Sequence, residues 1–121
     1  MAVTALLLGG APLAQTPEPA QDDSIEALRT RANAGDADAQ NNLGAMYDSG
    51  IRVAEDAVEA AKWFRKAAEQ GDAEAQFEIG KMYRKGKGVA EDDHEAVMWF
   101  REAAGQGDAY AQYFLGQMYA D

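Results

Sequence analysis

A segment of 36 residues occurs twice in succession between residues 35 and 106, and the first 15 residues of a third copy follow from Gly107. The two complete copies are identical at 21 of their 36 positions. A fixed period of this length is typical of solenoids, in which each unit buries its apolar face only by stacking on its neighbours. The repeat therefore predicts a stack of similar units, an architecture that mostly serves binding.

Apolar and small residues recur at helical spacing within each copy. In the first half, Ala39, Leu43 and Tyr47 are four residues apart and form one apolar stripe. In the second half, Trp63 and Phe64 precede a pair of alanines, and large residues opposite small ones let two helices approach closely. We therefore predict an all-α fold with helices near 37–49, 57–69, 73–85, 93–105 and 109–120.

Residues suited to helix ends mark the boundaries. Asp36 and its equivalents one and two periods later precede alanine-rich segments and are predicted N-caps, each after a glycine suited to ending the preceding helix. Asp56 and Glu59, with the equivalent pair in the second copy, have the spacing of a capping box. Glycine inside a helix costs about 1 kcal/mol relative to alanine, so Gly44 and Gly80 predict a close approach by the partner helix.

The first 34 residues differ from the repeats. Residues 1–23 contain an apolar run from Ala2 to Leu8, a glycine pair and a proline-bearing polar linker, the order found in a secretory signal peptide. Two features depart from that pattern: no basic residue precedes the run, and Pro12 lies three residues before the expected cleavage after Ala14, where a signal peptide has a small residue. The alternative is an apolar tail without a signal function. The apolar residues of segment 24–34 have the same spacing as those in the second helix of a repeat. The segment is therefore predicted to form an N-terminal capping helix.

The composition argues against several classes of function. The chain has no cysteine, which excludes disulfides, thiolate catalysis and cysteine zinc sites. Its net charge of −10 is spread along the sequence and argues against a nucleic-acid binder and against docking on an anionic membrane. No apolar run is long enough to span a membrane.

Residues that could carry chemistry have structural explanations. His94, the single histidine, lies among four carboxylates, but Asp92 and Glu95 hold capping positions and the first copy has no histidine there. Trp63 and Trp99 recur in register, so we expect them in the core. No nucleophile, base and orienting group can be assembled. We therefore predict no catalytic residue, no metal site and no cofactor.

The repeat resembles the Sel-one-like repeat, a variant of the tetratricopeptide repeat. The resemblance rests on A-x-A-Q-x-x-L-G-x-M-Y at 37–47, V-A-E-D at 53–56 and E-A-x-x-W-F-R-x-A-A at 59–68, which recur one period later with isoleucine for the leucine. It implies a right-handed α-solenoid of antiparallel helix pairs, with repeats at 35–70 and 71–106 and the first helix of a third at 107–121.

The resemblance also implies a function. Members of the family typically serve as scaffolds or adaptors for other proteins, and in bacteria they are often exported. We therefore expect a non-catalytic interaction scaffold, periplasmic or secreted if the N-terminus is a signal, and otherwise cytoplasmic. Some cysteine-rich bacterial relatives were described as penicillin-binding or β-lactamase-like, and this chain lacks the cysteines of that branch. The alternative is a fragment of a larger repeat protein with an enzymatic or regulatory role.

Positions that vary between copies on the first helix of each pair are candidates for partner contact. In tetratricopeptide-like stacks the exposed side of that helix lines the concave groove. The residues predicted to bind a partner on the concave face are Asn41, Phe77, Lys81, Arg84, Lys85, Tyr110, Tyr113 and Gln117.

This face would change from neutral or acidic, through a cationic patch at 81–85, to an aromatic end. Phe77 and Tyr113 are expected to be exposed anchors, and the cations would favour a protein or peptide with an acidic or carboxylate-ended segment. The competing explanation is that cations near a helix C-terminus complement the helix dipole. Phe114, Leu115 and Met118 would lack a covering helix, so we expect either self-association through the last helix or a longer natural protein.

Overall fold

A computed structural model describes residues 24–120, which form helices joined by turns and loops, with no strand in that range. The six helices are α1 Ile25–Asn33, α2 Ala37–Ser49, α3 Ala57–Glu69, α4 Ala73–Lys85, α5 Asp93–Gly105 and α6 Ala109–Ala120. Each packs mainly on its neighbours in the chain, and contact is most extensive within the α2–α3 and α4–α5 pairs. The predicted all-α repeat fold is confirmed, with two helix pairs between single helices. Residues 1–23, to which the signal-peptide prediction refers, lie outside the described residues.

The N-caps form as predicted, but the capping boxes do not close. The aspartates that begin α2, α4 and α6 each accept the backbone N–H three residues later, at 2.9–3.2 Å. Asp56 likewise accepts the N–H of Glu59 at 3.1 Å. Its own N–H, however, donates to the carbonyl of Tyr47 at 2.9 Å, and the equivalent bond recurs in the second repeat. The expectation that a glutamate carboxylate would accept this N–H is therefore wrong, because a carbonyl near the end of the preceding helix is the acceptor.

Two buried phenylalanines fill the space left by the helical glycines. A Cβ atom at Gly44 would lie 2.9 Å from the ring of Phe64, and one at Gly80 would lie 2.7 Å from the ring of Phe100. Such distances are shorter than carbon atoms tolerate. The predicted close approach between paired helices is therefore confirmed in both repeats.

Helix α1 occupies the position of the second helix of a preceding repeat. Leu28 stands one period before Phe64 and is buried with Leu43 and Trp63 in one cluster of the core. Ser24 caps the helix by accepting the N–H of Ala27 at 3.0 Å. The stack therefore begins with a helix that contacts α2 as α3 contacts α4.

None of the helices formed by residues 24–120 is long and apolar enough to cross a membrane.

Candidate functional site

Aromatic rings of α4 and α6 meet beneath two cations and form what we call the α4–α6 surface, defined by Phe77, Lys81, Arg84, Tyr110 and Phe114. The centroid of the Phe77 ring lies 5.3 Å from that of Phe114, edge to face, and 5.9 Å from that of Tyr110. The Lys81 Nζ lies 4.7 Å from the centroid of Phe77, and the Arg84 guanidinium carbon lies 5.5 Å from that of Phe114. These distances are typical of aromatic pairs and cation–π contacts.

Helical spacing explains why these residues share one side. Positions 77, 81 and 84 are four and three residues apart, so they lie above one another on one face of α4. Positions 110 and 114 have the same relation on α6. Stacking of successive repeats then brings the two faces side by side, which places the predicted cationic patch against the predicted aromatic end.

The tyrosines of α6 are open to solvent. Tyr110 is 71% exposed and Tyr113 is 63% exposed. The Gln117 amide is also exposed and donates to the Tyr113 hydroxyl at 3.0 Å. The prediction that Tyr113 is an exposed aromatic is confirmed.

Phe77 and Asn41 do not lie open as predicted. Phe77 is only 8% exposed, because the rings of Tyr110 and Phe114 contact it from the next repeat. Asn41 is also 8% exposed, and its amide donates to a Glu74 carboxylate oxygen at 2.9 Å, which links α2 to α4. The expectation of an exposed Phe77 anchor is therefore wrong, and this ring supports the surface from below.

The cations of α4 differ in their pairing. Lys81 lies 3.2 Å from a carboxylate oxygen of Glu78. Lys85 is exposed. It lines a recess of about 60 Å³ together with Lys81 and the carboxylates of Asp48 and Glu78. Within residues 24–120 neither Arg84 nor Lys85 takes part in an ion pair. These two cations are therefore the ones most available to an incoming carboxylate.

Lys87 ties the second repeat's loop to the first repeat. Its Nζ lies 2.8 Å from a carboxylate oxygen of Asp48 on α2. The hydrogen bond to Asp48 raises the pKa of Lys87, and the negative charges nearby act in the same direction. This lysine serves the contact between repeats rather than the α4–α6 surface.

Sequence reasoning missed an arginine–tyrosine contact that joins successive helix pairs. Arg29 donates to the Tyr47 hydroxyl at 2.6 Å, Arg101 donates to that of Tyr119 at 2.7 Å, and Arg65 donates to Tyr83 in the same way. Each guanidinium also lies 5.6–5.8 Å from the centroid of the tyrosine it contacts. In each pair the arginine and the tyrosine are 18 residues apart, and both recur with the period of the repeat. This regular separation was the signal in the sequence that could have indicated the contact.

A glutamine ladder was also missed. Gln40 donates to the Ala32 carbonyl at 3.0 Å and accepts from Gln70 at 2.8 Å. Gln76 and Gln106 repeat the second contact at 2.8 Å one period later. Since Gln40 and Gln76 are buried, these bonds satisfy polar groups between repeats and carry no sign of a ligand.

The other candidates have structural roles. Asp92 accepts the backbone N–H groups of His94 and Glu95 at 3.0 and 3.1 Å, as a helix cap does. Across the described residues no group of three or more His, Asp or Glu side chains is placed to hold a metal ion. Trp63 and Trp99 are both buried, as expected.

The comparisons with known proteins agree with the geometry. The model of the Sel1 repeat matches residues 37–72, 73–108 and 109–121. The Sel1 repeat protein from Oxalobacter formigenes is 39% identical with a TM-score of 0.76, over 77% of this chain and 70% of that one. A search of the curated proteins found no match.

Two further solved structures are similar. The protein c5321, a protective antigen present in uropathogenic Escherichia coli strains, is 42% identical with a TM-score of 0.76, and the match covers 77% of this chain but 20% of c5321. Cysteine rich protein B of Helicobacter pylori is 27% identical with a TM-score of 0.70, over 74% of this chain and 68% of that one. On the matched repeats and these similarities, the chain belongs to the Sel1 repeat family, whose members are generally protein-interaction scaffolds.

Proposed function

We propose that this protein is a non-catalytic scaffold that binds a protein or peptide partner on the α4–α6 surface. The observation that carries the proposal is a pair of exposed tyrosines, Tyr110 and Tyr113, whose rings contact those of Phe77 and Phe114. Arg84 lies over Phe114 and lacks an ion-pair partner in the described part of the chain. Aromatic residues and arginine are the side chains that most often dominate binding energy at protein interfaces. In tetratricopeptide-like stacks this side of the first helices lines the concave groove, which supports the same assignment.

The partner segment we infer combines a carboxylate with an apolar side chain. A carboxylate would pair with Arg84 or Lys85, and guanidinium can hold both oxygens at once. The apolar side chain would lie against Tyr110 and Tyr113, while the covered ring of Phe77 keeps the surface rigid. Lys81 is already paired with Glu78, so its contribution would be smaller.

The test selects binders from a displayed library of random peptides, with the full chain as the target. The affinity of the enriched peptides is then measured for two charge-reversed variants. The first carries Arg84→Glu and Lys85→Glu, and the control carries Lys62→Glu and Lys66→Glu, an equal charge change on exposed positions of α3. We expect enriched peptides to contain Asp, Glu or a free C-terminal carboxylate and to bind the first variant at least about tenfold more weakly. Peptides that bind both variants equally, or that lack a carboxylate, would contradict the proposal.

We further propose that the protein is exported, because residues 1–23 have the order of a signal peptide. The full chain with a C-terminal tag, expressed in a Gram-negative bacterium, should appear in the periplasmic fraction with a mass that corresponds to cleavage after Ala14. Uncleaved protein confined to the cytoplasm would refute export and leave the binding proposal untouched.

A further inference from the structure

The tryptophan that recurs in the second helix of each repeat has different neighbours in the two copies. In α3 the residues one position before and three positions after Trp63 are Lys62 and Lys66. The Lys66 Nζ lies 5.6 Å from the centroid of the Trp63 ring, a cation–π contact within one helix. In α5 the equivalents of the two lysines are Met98 and Glu102. The second copy therefore lacks both cations beside its tryptophan and has a carboxylate there instead.

A recess of about 350 Å³ lies between α5 and the turn that joins α3 to α4. We call it the Trp99 recess and define it by Glu69, Met98, Trp99 and Glu102. Both charged residues that line it are acidic, and Met98, which is 43% exposed, contributes apolar surface open to solvent. No cation of residues 24–120 lies over the Trp99 ring. The recess therefore combines an aromatic ring, apolar surface and negative charge, which together suit an alkylammonium group.

The two carboxylates differ in what they already contact. Glu69 accepts from the Arg65 Nε at 3.2 Å, in an ion pair whose side chains are both exposed and therefore weakly held. Glu102 takes part in no ion pair within residues 24–120. Position 102 lies three residues after Trp99, the separation at which lysine and tryptophan meet on α3. A cation that pairs with Glu102 would therefore lie beside the Trp99 ring.

The Trp99 recess lies on the side of α5 that faces the preceding helix pair. Its lining includes residues from the end of α3, the following turn and the start of α4. Lys62 and Lys66, which correspond to Met98 and Glu102, stay exposed although α5 follows α3 in the stack. Stacking of a further helix pair on α5 would therefore leave these positions exposed as well.

We propose that the Trp99 recess binds a lysine side chain of a partner protein. The ammonium group pairs with the Glu102 carboxylate, and the methylene chain lies along Met98 and the Trp99 ring. A lysine-bearing partner is favoured over a second copy of this chain, because two chains of net charge −10 repel each other. The recess shares no residue with the α4–α6 surface, and the two sites select opposite charges.

The experiment titrates the full-length protein with a blocked pentapeptide that has one lysine between alanines, with NMR as the readout. We expect saturable shifts of the Met98 methyl group and the Trp99 ring protons. The matched peptide with norleucine, which has an alkyl chain without the charge, should bind at least about tenfold more weakly. Tetramethylammonium chloride is the second probe. If it binds more tightly than the lysine peptide, the proposal is wrong and the recess takes a small quaternary ammonium ion instead.

Two variants with the same change in charge make the result specific. Glu102→Lys gives α5 the residue that α3 has at this position, so the variant should fold, and its new side chain should lie over Trp99 and exclude the peptide. We expect it to bind the lysine peptide at least about tenfold more weakly, whereas Glu26→Lys, at an exposed position of α1, should stay within about twofold of the unsubstituted protein.

Three results would overturn the proposal: no saturable shifts, equal binding of the norleucine peptide, or equal affinity of the two variants for the lysine peptide. Sedimentation of the unsubstituted protein supplies a further check. Self-association that Glu102→Lys abolishes would also overturn the proposal, because a second copy of the chain would then be the occupant of the Trp99 recess.

Discussion

Helices α4 and α6 have the same motif, but α4 packs against both α3 and α5, whereas among residues 24–120 α6 packs mainly against α5. In α4 the residues Ile79, Met82 and Tyr83 are buried together with four others. In α6 only Ala111 is buried. The same residues therefore form a core in one place and an accessible surface in the other, because burial in a solenoid comes from nearest neighbours.

The largest difference should appear when a ring is removed from each environment. Phe100 is fully buried over Gly80, so Phe100→Ala should lower the free energy of unfolding by about 3–5 kcal/mol. Phe114 is only partly buried, and Phe114→Ala should cost less than half as much. Urea unfolding followed by circular dichroism measures both. Equal losses would show that α6 is covered in solution by something other than α5.

Alanine at the two equivalent glycines should act in opposite directions. At Gly80 the new methyl group would crowd the Phe100 ring, and overpacking of this kind costs about 1–3 kcal/mol, more than the helix propensity of alanine offsets. At Gly116 nothing lies within 4 Å, so the variant should be more stable by up to about 1 kcal/mol. Thermal melts of both variants decide the matter. A destabilised Gly116→Ala protein would argue that another group packs over Gly116 in solution.

The smallest difference concerns the arginine–tyrosine contacts. Tyr83 is buried, so Tyr83→Phe should cost about 1 kcal/mol by removing the bond from Arg65. Tyr119 is 58% exposed, and water can replace its bond to Arg101, so Tyr119→Phe should cost less than about 0.5 kcal/mol. Denaturant titration at matched protein concentration compares them. A larger loss at Tyr119 would mean that this contact, rather than packing, holds α6 on the stack.

Much of the fold could be predicted because its causes are local. The period, the five helices of residues 37–120, the aspartate caps and the close approach of the partner helix at the recurring glycines all follow from residues that recur at fixed spacing. Recurrence identified the positions that serve packing. The residues of the glutamine ladder and of the arginine–tyrosine pairs also recur. These contacts were missed because the recurrence of a residue does not show which other residue it contacts.

The candidate site was less predictable, as Phe77 shows. Its equivalents are Asn41 and Tyr113, three different side chains at one repeat position, so variation alone suggested three solvent-facing residues. Phe77 is instead covered by rings from the next first helix, and Asn41 is drawn into a bond with Glu74. The exposure of a varying position therefore depends on side chains about one period away.

The amino-acid sequence by itself determined the repeat length, the helices of the repeats with their caps, and the close approach of paired helices at the recurring glycines. Backbone geometry and short-range spacing are sufficient for these features. Only the tertiary structure decided which rings are covered, which cations remain unpaired among residues 24–120, and which face of α6 is open. Those properties arise when successive repeats meet, because the surface left on each helix is set by the neighbours it has and by those it lacks.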